Sequence, residues 1–149
     1  MRLKVPHFRQ EYPYTCLPAC IRMVLAYRGK KHTERQIATI CQTLPPFGTQ
    51  PEMVEEGLAQ LGYHCRWFEG ATIEKLRELI LNDWPIIIFV YAADLHHGGS
   101  GLHAVVLVEV GKRKVIVLDP IAKQATQIDI KPFETMWTNF GNQGMVIGL

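Results

Sequence analysis

The sequence predicts an α+β fold in which an N-terminal helical half packs on a C-terminal antiparallel β-sheet. Three observations support this prediction. Apolar residues recur at helical spacing through the first half of the chain, and short β-branched and aromatic runs dominate the second half. A three-residue turn at 111–113 also joins two of those runs as a hairpin. Helices followed by a series of strands are typical of α+β proteins with an antiparallel sheet.

Four helices are expected in the first half, and capping residues and glycines set their bounds. Thr33, Thr49 and Thr72 are candidate N-caps, because a threonine hydroxyl can accept a hydrogen bond from an unpaired N–H group at a helix start. Gly29 and Gly62 are expected to end the helices that precede them. The predicted helices cover residues 17–27, 33–42, 51–61 and 73–81.

The second half is expected to contain the strands of the sheet. The continuous run at 86–91 is short, β-branched and aromatic, which predicts a buried central strand. The hairpin consists of strands 103–110 and 114–118. A half-exposed strand over 125–130, a short helix over 132–137 and a last strand over 145–149 complete the prediction.

Composition indicates an ordinary globular protein with one domain, 1–149. The chain has 149 residues, of which 48% are hydrophobic and 20% charged. A net charge of +2 is too small to indicate a nucleic-acid partner. The longest apolar run, 85–93, is too short to span a bilayer, and the first residues do not resemble a signal peptide. We therefore expect a cytoplasmic protein without membrane insertion, whose four cysteines stay reduced.

Cys16 is a candidate nucleophile because of its place at a helix start. Thr15 is a suitable capping residue, and Pro18 is tolerated only in the first turn of a helix. The unpaired N–H groups and the dipole at a helix N-terminus favour negative charge, which is the form that a nucleophilic thiol needs. The same pattern fits a small cysteine packed beneath the helix equally well.

Cys20 lies one helical turn further on, where a buried packing role is expected. A zinc half-site formed with Cys16 is the alternative, but such a site needs two further ligands. Neither Cys41 nor Cys65 has a Cys or His partner at a recognisable spacing. We expect no metal and no cofactor.

His103 and Asp119 are the candidate base and its orienting residue. His103 opens the first hairpin strand after a glycine-rich segment, and Asp119 follows the second strand. Antiparallel pairing through a tight turn should bring them together, so that the carboxylate orients the imidazole. His96 and His97 are read as incidental loop residues near Gly98-Gly99.

The remaining histidines and one glutamine complete the candidates. His7, His32 and His64 have no partner that the sequence identifies. Gln10 precedes Cys16 by six residues and can donate from its amide to an oxyanion, although the spacing fits a surface glutamine as well.

Several segments of the chain also match a known pattern in the right order. They are Val5-Pro6, Gln10, residues 16–25, Gly48-Thr49, Leu61-Gly62, Trp84-Pro85, residues 103–107 and Leu118-Asp119-Pro120. With these segments, which extend over nearly its whole length, the chain resembles the bacteriocin-processing peptidases. These are papain-like cysteine peptidases that cleave double-glycine leaders and often form the N-terminal domain of ABC exporters.

The resemblance implies a papain-like fold and a role for each matching residue. Cys16 would be the nucleophile, His103 the base, Asp119 its orienting residue and Gln10 the oxyanion donor. A peptide or protein would be the substrate, and whether the chain associates with an exporter is left open. The sequence contains no membrane segment or nucleotide-binding motif, so the chain is not expected to be an exporter itself.

One departure from the family pattern leaves alternatives open. The family usually has glycine directly after the nucleophile, and a bulky Leu17 at that position could narrow the cleft. Cleavage at double glycines is therefore not inherited with the resemblance. The alternatives to a peptidase are a catalytically silent peptide-binding domain of the same fold and a cysteine acyltransferase.

Overall fold

A computed structural model describes residues 1–95 and 99–149. The helices in this part of the chain are α1 (Cys16–Tyr27), α2 (Glu34–Ile40), α3 (Pro51–Gln60), α4 (Ile73–Leu81) and α5 (Ile130–Asn139), with a short 3-10 turn at Ala92–Asp94. The strands are β1 (His64–Phe68), β2 (Ile86–Tyr91), β3 (Leu102–Val110), β4 (Lys114–Leu118), β5 (Thr126–Asp129) and β6 (Gly144–Gly148).

The six strands form one sheet in the order β1-β6-β2-β3-β4-β5, and every neighbouring pair is antiparallel. Strands β2 and β3 lie at its centre. Nearly all their residues are buried, so both faces of the sheet are covered there. The predicted α+β class with an antiparallel sheet is confirmed.

Helix bounds follow the predicted caps in two cases and depart from them in a third. The hydroxyls of Thr33 and Thr72 accept hydrogen bonds from Gln36 N and Lys75 N, as an N-cap should. The prediction for Thr49 is wrong, because Gln50 is the N-cap of α3. The Thr49 hydroxyl instead bonds the hydroxyl of Thr43 at 2.6 Å.

Strand β1 was not predicted from the sequence. It pairs with β6 at the edge of the sheet, and its five residues, half-buried or exposed, form a run too short to give a strong periodic signal. Helix α5 is also longer than predicted at both ends and begins directly after β5. Both differences arise where pairing and packing with distant segments, rather than local pattern, decide the conformation.

The N-terminal segment fixes the position of α1 relative to the hairpin. The backbone N–H of Leu3 donates to Val108 O at 3.0 Å, and that of Gln10 donates to Pro120 O at 2.8 Å. Helix α1 then packs against β3. As a result, the start of α1 lies close to the start of β3 and the end of β4.

Among the helices of residues 1–95 and 99–149, none combines the length and apolarity needed to cross a bilayer.

Candidate active site

Cys16 is the first residue of α1, as the sequence predicts, and its side chain is half-buried. The N-cap residue is Thr15, but its side chain makes no capping hydrogen bond. Its hydroxyl instead donates to Tyr12 O at 2.9 Å and accepts from Tyr12 N at 3.1 Å. Thr15 therefore closes the turn that leads into the helix, and it does not satisfy the N–H groups around Cys16.

Leu17 is buried and belongs to the hydrophobic core, with 2% of its surface exposed. The side chain that replaces the expected glycine thus packs inward.

His103 and Asp119 meet as predicted. Nε2 of His103 lies 2.7 Å from Oδ1 of Asp119, and both side chains are buried. They are not directly opposite in the hairpin, because the register pairs Val106 with Leu118. Asp119 lies one residue beyond that pair and His103 three residues beyond it, so the contact depends on the two side chains reaching toward each other.

His103 also interacts with Cys16. Burial of the imidazole lowers its pKa, but the hydrogen bonds to Asp119 and Cys16, with the charges of both groups, outweigh burial and raise the pKa to about 9. Because Nε2 is engaged by Asp119, Nδ1 is the ring nitrogen that remains for the thiol. At neutral pH the imidazole is therefore in its charged form, next to a thiol and a carboxylate.

Asp119 is held in place by contacts on its side chain and its backbone. Its Oδ1 also accepts from Ile121 N at 3.0 Å, and its carbonyl oxygen accepts from Ala122 N at 3.0 Å. His7 Nε2 donates to the same carbonyl oxygen at 2.8 Å. The sequence identified no partner for His7, because a bond across 112 positions leaves no local pattern.

Gln10 lies in the segment before α1, and its amide is used inside that segment. Nε2 donates to Tyr12 O at 2.8 Å, which leaves one N–H of the amide available. Oε1 is buried without a hydrogen-bond partner. An unpaired buried acceptor costs about 1–3 kcal/mol, so this amide is not in its most favourable environment.

Two of the other cysteines, Cys20 and Cys41, are fully buried, and Cys65 is half-buried. Cys20 is fully buried, as predicted, and burial raises the pKa of its thiol well above the ordinary value. Burial also raises the pKa of Cys41 to about 12 and that of Cys65 to about 11. All four cysteines are free, and within the described ranges no three metal-ligating side chains converge. His96, His97 and Gly98 lie outside the described residues.

A groove of about 650 Å³ borders the candidate site at Asp119. Its walls are mainly apolar, and Asp94 and Asp129 add negative charge. The apolar lining includes Leu95, Ile121, Ile128, Pro132 and Met136. Another groove, of about 480 Å³ between β1, β6 and α4, contains none of the candidate residues.

Solved structures define the class of fold. The chain superposes on a C39-like peptidase from Bacillus anthracis with a TM-score of 0.79 at 17% identity, over 98% of this chain and 95% of that one. For a double-glycine-motif protease of an AMS/PCAT transporter, solved with its leader peptide, the TM-score is 0.77 at 23% identity, over 99% of this chain and 93% of that one. For the peptidase domain of Streptococcus ComA, a bifunctional ABC transporter, the TM-score is 0.76 at 20% identity, over 95% of this chain and 96% of that one. The fold is that of a cysteine peptidase.

The sequence family agrees with this class. The model of the Peptidase_C39-like family matches residues 2–145, and the chain belongs to that family. No curated protein sequence matches the chain significantly.

Proposed function

We propose that the chain is a cysteine peptidase of papain-like fold, in which residues 1–149 act as one catalytic domain in the cytoplasm. Cys16 is the nucleophile, His103 the acid and base, Asp119 the residue that orients His103, and Gln10 an oxyanion donor. The substrate is a peptide or a protein. The contact of the half-buried Cys16 thiol with His103, whose other nitrogen bonds Asp119, is the observation that carries the proposal.

The positive charge of His103 supports thiolate attack. With the pKa of His103 near 9, a proton resides on the imidazole at neutral pH. The Cys16 thiolate adds to the scissile carbonyl and forms the C–S bond, and the carbonyl electrons move onto oxygen. Collapse of this intermediate breaks the C–N bond, and the His103 proton passes to the leaving amine. Water, deprotonated by the now neutral His103, then hydrolyses the thioester and regenerates Cys16.

The oxyanion is held from two sides in this proposal. One donor is the Nε2 hydrogen of Gln10 that Tyr12 O does not use, and the other is an N–H group of the first turn of α1. Because Pro18 has no N–H, the backbone N–H groups of Cys16 and Leu17 are the candidates for this second donor.

The groove beside Asp119 is the proposed binding cleft for one side of the peptide. It opens next to the catalytic carboxylate and is lined by apolar side chains, which suits the side chains of an extended substrate. One of the similar solved structures is a double-glycine-motif protease from a transporter in complex with its leader peptide, and another is the peptidase domain of an ABC transporter. Peptides with double-glycine leaders are therefore the first substrates to test.

The decisive experiment compares the native chain with Cys16→Ala on a panel of such peptides, with products identified by mass spectrometry. We expect the native chain to cleave the peptides and Cys16→Ala not to cleave them. Alkylation of Cys16 by one equivalent of iodoacetamide should abolish cleavage by the native chain. Peptide binding without cleavage by either protein would contradict the proposal and favour a silent binding domain. Products that carry an added amine in place of water would identify an acyltransferase.

A further inference from the structure

A second buried carboxylate lies close to the candidate site, and the proposed mechanism does not use it. Glu34 is the first residue of α2, and only 1% of its surface is exposed. Its two carboxylate oxygens accept from the backbone N–H of Glu11 at 3.1 and 3.0 Å. Isolated carboxylates are rarely buried, because removing their charge from water is costly.

The start of α2 does not need this carboxylate. Thr33 and Gln36 already form a reciprocal capping box, with Thr33 Oγ1 accepting from Gln36 N and Gln36 Oε1 accepting from Thr33 N. An acid in the first turn that only complements the helix dipole can stay in water, as the exposed Glu74 does in α4. Glu34 instead turns inward, toward the segment that precedes Cys16.

Burial and the hydrogen-bonding groups around Glu34 act in opposite directions on the pKa of its carboxyl. Burial raises the pKa of its carboxyl, and the hydrogen bond from the Glu11 N–H and the nearby Thr15 hydroxyl, whose hydrogen also faces Tyr12 O, offset only part of that rise. Among charged neighbours, Glu11 raises the pKa and Arg22 lowers it. Glu34 therefore interacts with both ends of the turn at residues 11–15.

This turn connects the proposed oxyanion donor to the proposed nucleophile. On its N-terminal side, Gln10 N donates to Pro120 O, and the Gln10 amide folds back onto Tyr12 O. On its C-terminal side, Thr15 leads directly into Cys16. Two neighbouring backbone N–H groups are thus held: that of Gln10 by Pro120, next to the hairpin, and that of Glu11 by Glu34.

From this geometry we propose that Glu34 is a positioning residue that holds the amide of Gln10 at the correct distance from Cys16. It touches no reacting atom and acts through the backbone of Glu11. This inference rests on the proposed function. It adds a residue from α2, and no residue of that helix takes part in the proposed mechanism.

Two small probes separate the oxyanion site from the thiol. Acylation by p-nitrophenyl acetate passes through an oxyanion, forms the Cys16 thioester and releases p-nitrophenolate. Alkylation by iodoacetamide displaces iodide at a saturated carbon and forms no oxyanion. Glu34→Gln keeps the shape of the side chain but removes its charge. It should slow acylation about tenfold, which is less than the 10²–10³-fold loss caused by removing an oxyanion donor. The rate of alkylation should stay within about threefold of the native rate.

A double-mutant cycle tests whether Glu34 acts through Gln10. Gln10→Ala alone should slow acylation by at least as much as Glu34→Gln, and the second change should then add little. Glu74→Gln, which changes an exposed acid in the first turn of another helix, is the matched control and should leave both rates unchanged. Full additivity, or an equal loss of acylation and alkylation in Glu34→Gln, would overturn the proposal.

Folding and the proposed function are monitored independently. Each variant is checked by its thermal unfolding transition, and Glu34→Asp, which keeps the charge on a shorter side chain, replaces Glu34→Gln should the latter not fold. An acylation rate of Glu34→Asp between those of the native chain and Gln10→Ala supports the positioning role, and an unchanged rate contradicts it. If native chain and Cys16→Ala react equally with both probes, the proposed function itself fails.

Discussion

Cys16 and Cys20 lie one turn apart on the same helix and have opposite surroundings. Cys16 is half-buried at the first residue of α1 and contacts His103. Cys20 is fully buried, and both burial and the charge of Cys16 raise the pKa of its thiol. The comparison shows that position along one helix decides the surroundings of a sulfur, because the first residue of α1 is half-buried beside His103 and the next turn enters the core.

The largest expected difference between the two cysteines is in turnover. Cys16→Ala should lower the cleavage rate by about 10⁴-fold or more, the range for removing a catalytic nucleophile. Cys20→Ala should keep the rate within a few-fold, since its thiol is enclosed by the core. Single-turnover assays on the same peptide measure both. Comparable losses in the two variants would mean that Cys16 acts by packing.

Asp119→Asn tests the contact that distinguishes Cys16. We expect a loss of about 10²–10⁴ in kcat, because the amide no longer stabilises the imidazolium. In the native chain kcat/KM should fall as the pH rises through about 9, where His103 loses its proton. Without the carboxylate, burial remains and lowers the pKa, so this alkaline limb should move to lower pH. A limb that stays in place would show that it belongs to another group.

The same pair should also contribute to stability in a pH-dependent way. The folded pKa of His103 lies above its ordinary value of about 6.5, so the stabilisation is complete below that pH and is lost as the pH rises through about 9. Thermal unfolding of native chain and Asp119→Asn should therefore differ most near pH 6 and converge above pH 9. Equal differences at all pH values would contradict the assigned charge state.

Alkylation should distinguish Cys16 from the other thiols at neutral pH. Thiolates are the reactive form, and pKa values of about 12 for Cys41 and about 11 for Cys65 leave almost none at pH 7. We expect iodoacetamide to label Cys16 about 10² times faster than any other cysteine, as measured by peptide mapping. Labelling in urea provides the control, because all four should then react at similar rates.

The smallest effect is expected for the packing of Cys20. Cys20→Ala removes one buried sulfur and should lower the free energy of unfolding by about 1 kcal/mol, as measured by urea denaturation. Cys20→Ser buries a hydroxyl instead and should cost about 1–3 kcal/mol if it finds no partner. A stabilising serine would show that the region around Cys20 is more polar than its burial indicates.

Sequence patterns were sufficient for several features whose signal is local. Pro18 in a first turn located the start of α1, and the hairpin brought His103 and Asp119 together. Contacts between distant segments were out of reach. Glu34 binds Glu11 across 23 positions and His7 binds Asp119 across 112, and neither contact has a motif. Thr49 was misread as a cap because its hydroxyl bonds that of Thr43, whereas Thr15 is the N-cap of α1 as predicted but its hydroxyl bonds the backbone of Tyr12.

The hydrogen bond from Gln10 to Pro120 has a consequence for the newly made protein. The thiol is synthesised early, whereas the imidazole and the carboxylate that it needs are more than 80 residues further along the chain. A nascent chain that has not yet released Pro120 from the ribosome holds a cysteine without its partners. Such a chain lacks the contact between His103 and Asp119 until both residues have left the ribosome, so the order of residues itself delays assembly of the proposed site.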